Sequence, residues 1–374
     1  MRIFHLLILI FINILTIKSQ TPESVLNAAR LANYYFMTKN NDPTQVTNVG
    51  KERPSNLWTR GVYYEGLMEL NSIDPRTEYI NYAMTWANFH KWTPRNGVKT
   101  TDADDQCCGQ TYINLLNHIK TENKLDKIKY LLENLDNQIN TKKINYWTWI
   151  DAIQMAMPVY AQAYMLTGDK KYIDYAMKSY HWTRDECGGG LFNTKNGFWW
   201  RDANFVPPFT EEDGNDCYWS RGNGWVYVAL IRVMEIIGKS NKYYKELEKD
   251  FILMSKAIAS VQRDDGFWDV SLVSPATYGG KETTGTSLFL SGMSWGIRNG
   301  ILEEKVYRPI VDKAWKGLEV HAVHPDGFLG YVQGTGKAPS ESQPVTYTRI
   351  PDFEDFGLGC FLLGATEYYK LISN

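Results

Sequence analysis

"DAIQMAMPVYAQAYMLTGDKKYIDYAMKSYHW" runs from Asp151 to Trp182. Its first half, to Leu166, is apolar or small on most of a helical circumference. Its second half, from Lys170, alternates charge with Tyr, Ile and Ala at helical spacing. A helix apolar on most sides is buried on most sides, whereas an amphipathic one faces water along one side. "TGD", from Thr167, is a turn signal between them. The stretch therefore reads as a hairpin of one inner and one outer helix.

The same unit recurs along the chain. Polar turns followed by amphipathic helices begin at Ser72, Thr121, Thr167, Gly238 and Arg298, and a more apolar helix precedes each, as in "GWVYVALIRVMEII" and "TGTSLFLSGMSWGI". That gives five pairs. A lone amphipathic helix, "TPESVLNAARLANYYFM" from Thr21, opens the array, and a lone apolar one, "FGLGCFLLGATEYYKLI" from Phe356, ends it. Pairing these two closes a ring of twelve. The predicted fold is all-α, an (α/α)6 toroid with six inner helices. An open solenoid is less consistent, because solenoid ends carry polar capping faces and the last helix here is apolar.

In such a ring the inner helices run in parallel, so the segments just before them share one rim. These are Trp58–Gly66, Asp102–Gln110, Tyr146–Asp151, Cys217–Trp225, Gly279–Gly285 and Pro351–Gly357. They hold the densest Trp, Arg, Asp and Glu clusters of the sequence. Loops such as "GGGLFNTKNGFWWRDANF" and "DDGFWDV" are candidates for the cleft walls.

Composition fits a globular protein: 374 residues, 44% hydrophobic and 22% charged, with 13 Trp and 24 Tyr. Flat faces with a polar handle suit sugar rings. A net charge of −2 gives no reason to expect nucleic acid or an anionic membrane as partner. "MRIFHLLILIFINILTIKSQ" reads as a secretory signal peptide over residues 1–20, leaving 21–374 as a single catalytic domain. The mature chain is then expected in the periplasm or medium, off the membrane, as a monomer. Five cysteines, an odd number in no zinc pattern, read as buried free thiols.

Asp151 in "YWTWID" is the first candidate for chemistry. Burial beside Trp147 and Trp149 raises a carboxyl pKa, while the helix N-terminus lowers it. Its ordinary alternative is a helix cap. Asp104 and Asp105 begin the preceding inner helix. Two carboxylates facing a sugar is the glycosidase arrangement, one of this adjacent pair being a cap. "WSRGNGW" offers Arg221 as a fork for a carboxylate, with Trp219 and Trp225 as faces, which points to a uronate. Arg201 in "FWWRDANF" is a second anion-binding candidate. None of the six His stands at the rim, and there is no HExxH, GxSxG, His/Asp metal cluster or phosphate loop. Neither metal nor cofactor is expected.

"WSRGNGW", the W-x-D followed by "AMP", the "DD…GQ" segment and the twelve-helix order together resemble glycoside hydrolase family 105. These are the unsaturated rhamnogalacturonyl hydrolases, related to the unsaturated glucuronyl hydrolases of family 88. The resemblance implies that an Asp protonates C4 of a terminal 4,5-unsaturated uronate, that water adds at C5, and that the hemiketal opens to release the next sugar. On this likeness the acid matches Asp151 and the second carboxylate Asp104, with Asp105 as the one-residue alternative. Substrate contacts match Trp149, Trp219, Arg221, Trp225 and Tyr64. Some members carry His where this chain has Arg201. Lyase-generated fragments of rhamnogalacturonan or ulvan are the implied substrates. An inverting glycosidase and a non-catalytic carbohydrate-binding toroid are the alternatives.

Overall fold

The computed structural model describes residues 20–46, 52–120 and 123–373; the expected signal peptide lies almost wholly outside them. The outer helices are α1 (Pro22–Lys39), α3 (Thr77–Phe89), α6 (Lys129–Asn140), α8 (Lys170–Asp185), α10 (Tyr244–Ser260) and α13 (Glu304–Gly317). The inner ones are α2 (Trp58–Ile73), a broken helix made of α4 (Ala103–Gln106) and α5 (Cys108–Leu115), α7 (Asp151–Thr167), α9 (Ser220–Ile237), α12 (Thr283–Arg298) and α14 (Asp355–Ile372). A short α11 (Pro275–Tyr278) lies in the loop before α12. Neighbours around the inner ring follow chain order, and α14 packs on α2. The ring is closed, and α1 pairs with α14 as the sequence pattern required.

Burial follows the periodicity. Every residue of α12 from Thr283 to Ile297 is buried, as is every residue of α7 from Asp151 to Ala163. On α13 only Tyr307, Val311, Ala314, Trp315 and Gly317 are, a single stripe. Each large apolar side chain fully buried contributes about 1.5–3 kcal/mol, so the inner ring dominates stability.

The α7–α8 turn shows how the local signals act. Gly168 adopts φ 73°, closing α7 with its N–H on Tyr164 O, and Asp169 caps α8 by accepting from Lys171 N at 3.0 Å. Ring closure depends on small residues. A Cβ on Gly66 of α2 would sit 2.6 Å from Gly359 O of α14, so any larger residue there drives the two helices apart.

Pro158 interrupts α7 and cannot donate to the carbonyl of Gln154. The Gln110 amide from α5 donates to that carbonyl instead, at 2.9 Å. The helix defect thereby becomes a tie between neighbouring inner helices.

Candidate active site

All six rim segments converge at one end of the ring. Arg60 of α2 meets Asp355 of α14, Trp58 lies edge-on to Trp225 of α9 at 6.2 Å, and Thr283 of α12 is tied to the 330s loop through Tyr331 O. Asp151 begins α7 and Asp104 lies in the first turn of α4, so both carboxyls stand at neighbouring inner-helix starts.

The environments of the two carboxyls differ. Asp104 is pushed up to about 8 by burial and by the negative charges of Asp102 and Asp151. Asp151 is also raised by burial, but Arg201 and then Arg221 pull it down. Both carboxyls are thus held above the ordinary Asp value, Asp151 against the pull of two arginines. Arg201 Nε lies 3.4 Å from Asp151 Oδ2, and its Nη1 is fixed 2.7 Å from Asp202 Oδ2. Asp202 is in turn held by the backbone and side-chain amides of Asn204 at 2.9 and 2.8 Å.

Arg201 reaches this place through a small hairpin. β1 (Phe192–Asn193) pairs antiparallel with β2 (Phe198–Trp199), and beyond it Arg201 O accepts from Ile150 N at 3.0 Å. Trp149 bridges to Asp202 in the same place. Trp149, Trp58 and Trp200 are half-buried. Asp202 was not among the residues singled out in the sequence; its adjacency to Arg201 was the available signal.

Four of the expected substrate contacts are buried. Tyr64, Trp219, Arg221 and Trp225 are each at most 1% exposed. Tyr64 stacks on Trp86 at 4.1 Å inside the core. Arg221 donates to the carbonyls of Gln333 and Gly334 at 2.7 and 2.8 Å, and its guanidinium lies over Trp219 and Phe356. Trp219 Nε1 donates to Gln333 Oε1 at 2.8 Å. Asn223, in the same motif, brackets Trp199 by binding its N–H at 2.8 Å and its carbonyl at 3.0 Å. "WSRGNGW" thus fastens the loop holding Trp199 and the loop holding Gln333 and Gly334 to α9. A guanidinium and two indoles need many contacts, and the wall loops supply them.

Asp105, the one-residue alternative to Asp104, is turned into the protein. It is 1% exposed, ion-paired with Arg95 at 2.6 Å and accepts from Asn96 and Thr100, so both its oxygens serve the protein interior. The capping role of this segment belongs to Asp102, which accepts from Asp104 N at 2.9 Å. All five cysteines are free and buried. Among the described residues no cluster of His, Cys, Asp and Glu could hold a metal. No helix of the described residues is long and apolar enough to cross a membrane.

The family model described as Glycosyl Hydrolase Family 88 matches residues 28–372. The chain belongs to glycosyl hydrolase family 88. As a family 88 member it is a glycoside hydrolase, and the family 105 expected from the motifs is a close variant of it. An unsaturated 3S-rhamnoglycuronyl hydrolase of Formosa agariphila is 31% identical over 335 residues, 84% of each chain. A second protein of that name, from an Alteromonas species (strain LOR), is 33% identical over 224 residues; these are 59% of this chain and 51% of that one. A glycosyl hydrolase family 88 structure from Bacteroides vulgatus superposes with TM-score 0.84 at 30% identity, covering 94% of this chain and 100% of that one. The unsaturated glucuronyl hydrolase of Bacillus sp. GL1 shares the fold, with TM-score 0.66 at 13% identity over 92% of this chain and 96% of that one.

Proposed function

We propose that this family 88 enzyme removes the terminal 4,5-unsaturated uronic acid from lyase-generated uronate–rhamnose oligosaccharides by hydrating the vinyl ether. The observation that carries the reading is the Asp104–Asp151 pair with Arg201 beside it, under half-buried Trp149. The names of the Formosa and Alteromonas relatives support a rhamnose-linked glycuronyl substrate.

Asp151 is the acid and Asp104 its partner. Arg201 favours the charged form of Asp151 in the free protein. A uronate carboxylate seated against Arg201 cancels that pull and adds a negative charge, so substrate itself moves the proton onto Asp151. Asp151 then gives its proton to C4. Water bonds to C5, and its proton returns to the Asp151 carboxylate. The C5 hemiketal opens, the bond from C1 to the neighbouring sugar breaks, and the uronate leaves in open keto form. No step requires attack at C1. Asp104, a like charge nearby, favours the protonated form of Asp151 and orients the ring, and Trp149 packs against it. The buried "WSRGNGW" side chains act as positioning groups for the wall loops.

The test uses lyase-treated ulvan and lyase-treated rhamnogalacturonan, following loss of the ultraviolet absorbance of the C4=C5 bond in water enriched in heavy oxygen. Loss of absorbance with label at C5 is expected. Label at C1, or equal cleavage of a saturated uronate, would return the enzyme to the ordinary two-carboxylate glycosidases. Release of rhamnose-ended product from only one polymer assigns the source of the substrate.

A further inference from the structure

Beneath the rim the inner helices enclose a third buried carboxyl. Glu65 of α2 is 0% exposed and lies one layer inside the ring. Its two oxygens are divided between two other helices. Oε1 accepts from Cys107 Sγ at 3.3 Å, at the junction of α4 and α5, and Oε2 accepts from Gln154 Nε2 of α7 at 2.8 Å.

The register of these partners is the informative part. Cys107 is three residues after Asp104, and Gln154 is three residues after Asp151. Residues three apart on a helix lie on the same face, one turn along. Each carboxyl of the candidate pair thus has, one turn below it, a side chain gripped by the same Glu65. The α7 backbone at this level is also held by Gln110, whose amide takes the Gln154 carbonyl that Pro158 leaves free and whose Oε1 accepts from Arg232 of α9 at 3.1 Å. Cys107 is close enough to Asp104 for that carboxylate's charge to add to burial in pushing its thiol up.

We propose that Glu65 is a positioning residue for the reaction: by bridging Cys107 and Gln154 it fixes the separation of Asp104 and Asp151. This rests on the reading of those two as the reacting pair. A buried carboxyl is expensive unless its oxygens are occupied. Its place here is explained by the two helices it joins, which an apolar side chain of similar size would leave free to shift. The titratable and charged groups facing Glu65 are Cys107, Arg232 at 3.9 Å, Cys360 of α14 and Glu69 of its own helix. Arg232 favours its charged form, while burial raises it to about 7.

The experiment compares Glu65→Gln, Gln154→Leu, Cys107→Ala and the Gln154→Leu/Cys107→Ala double variant with the native enzyme, on lyase-treated ulvan or rhamnogalacturonan. Asp151→Asn is measured alongside. Each folded single variant is expected to lower kcat about threefold to thirtyfold with KM within twofold, and to move the pH limbs of kcat/KM. A purely structural role would lower the unfolding temperature and leave those limbs in place. The two single losses should fall short of additive in the double variant, because both cut the same bridge. Folded Gln154→Leu and Cys107→Ala variants with native kcat and native pH profile overturn the proposal, as do strictly additive losses. If Asp151→Asn is inactive while these variants are native, the bridge fails and the acid assignment survives. If Asp151→Asn is active, the acid assignment fails, and the bridge with it.

Discussion

Arg201 Nε stands 3.4 Å from Asp151 Oδ2, and neither atom makes a hydrogen bond to another group among the described residues. Asp202 holds Nη1 of the same guanidinium at 2.7 Å, which restrains the arginine beside Asp151. A fixed cation beside a buried carboxyl sets how readily that carboxyl takes a proton. The predicted consequences of this relation are measurable.

Arg201→Gln removes the pull that holds Asp151 down. The Asp151 pKa rises, so an activity that needs its proton persists to higher pH, and the alkaline limb of kcat/KM moves up. The same variant loses the cation facing the substrate carboxylate, so KM rises on uronate substrates. An unmoved limb in the folded variant would separate Arg201 from the acid.

Asp151→Asn should cost about a hundredfold or more in kcat, the usual scale for a lost general acid, while circular dichroism and oligosaccharide binding stay close to native. Near-full activity would make Asp151 a helix-start residue and nothing more.

Asp104→Asn should lower activity and raise stability above neutral pH. The folded pKa of Asp104, about 8, is above that of an unfolded Asp. The folded state therefore binds the extra proton, and stability falls as pH rises from about 4 to about 8. Asn abolishes that loss. A gain of up to about 5 kcal/mol at pH 8, roughly four pH units at about 1.4 kcal/mol each, is the linkage limit, and it should vanish near pH 4. Asp105→Asn should do the reverse: with Arg95 deprived of its partner, stability falls by about 1–3 kcal/mol. Activity should then track the folded fraction.

Arg221→Met leaves the carbonyls of Gln333 and Gly334 without donors. Each orphaned carbonyl costs about 1–3 kcal/mol, read by denaturant unfolding. Proteolysis should first appear in the loop around Gln333. Arg221→Lys should not restore the native value, because an ammonium lacks the planar fork that spans two carbonyls. Losses confined to acidic substrates, with stability intact, would instead assign Arg221 to the ligand.

The sequence by itself determined the ring. Which helices are inner, their order, the closure of the last on the first and the end where the rim segments gather all follow from hydrophobic period and turn residues. Those signals are local and repeat in every hairpin, so their sum is unambiguous. It also picked out Asp151 and the Asp104–Asp105 step as places where carboxyls meet apolar surface. Direction was not legible. Successive helical residues differ by about 100° around the axis, so composition alone did not tell Asp104, which feels the charge of Asp151, from Asp105, which is spent on Arg95. Nor did the richness of "WSRGNGW" in Trp and Arg reveal that its side chains are buried against Gln333 and Gly334. The contacts that bury them come from loops more than a hundred residues away. Only the tertiary structure brings Arg201 to Asp151, through a hairpin whose backbone pairs with the segment before α7. Two residues fifty positions apart meet because Ile150 and Arg201 share a backbone hydrogen bond, and no local pattern in either segment encodes that pairing.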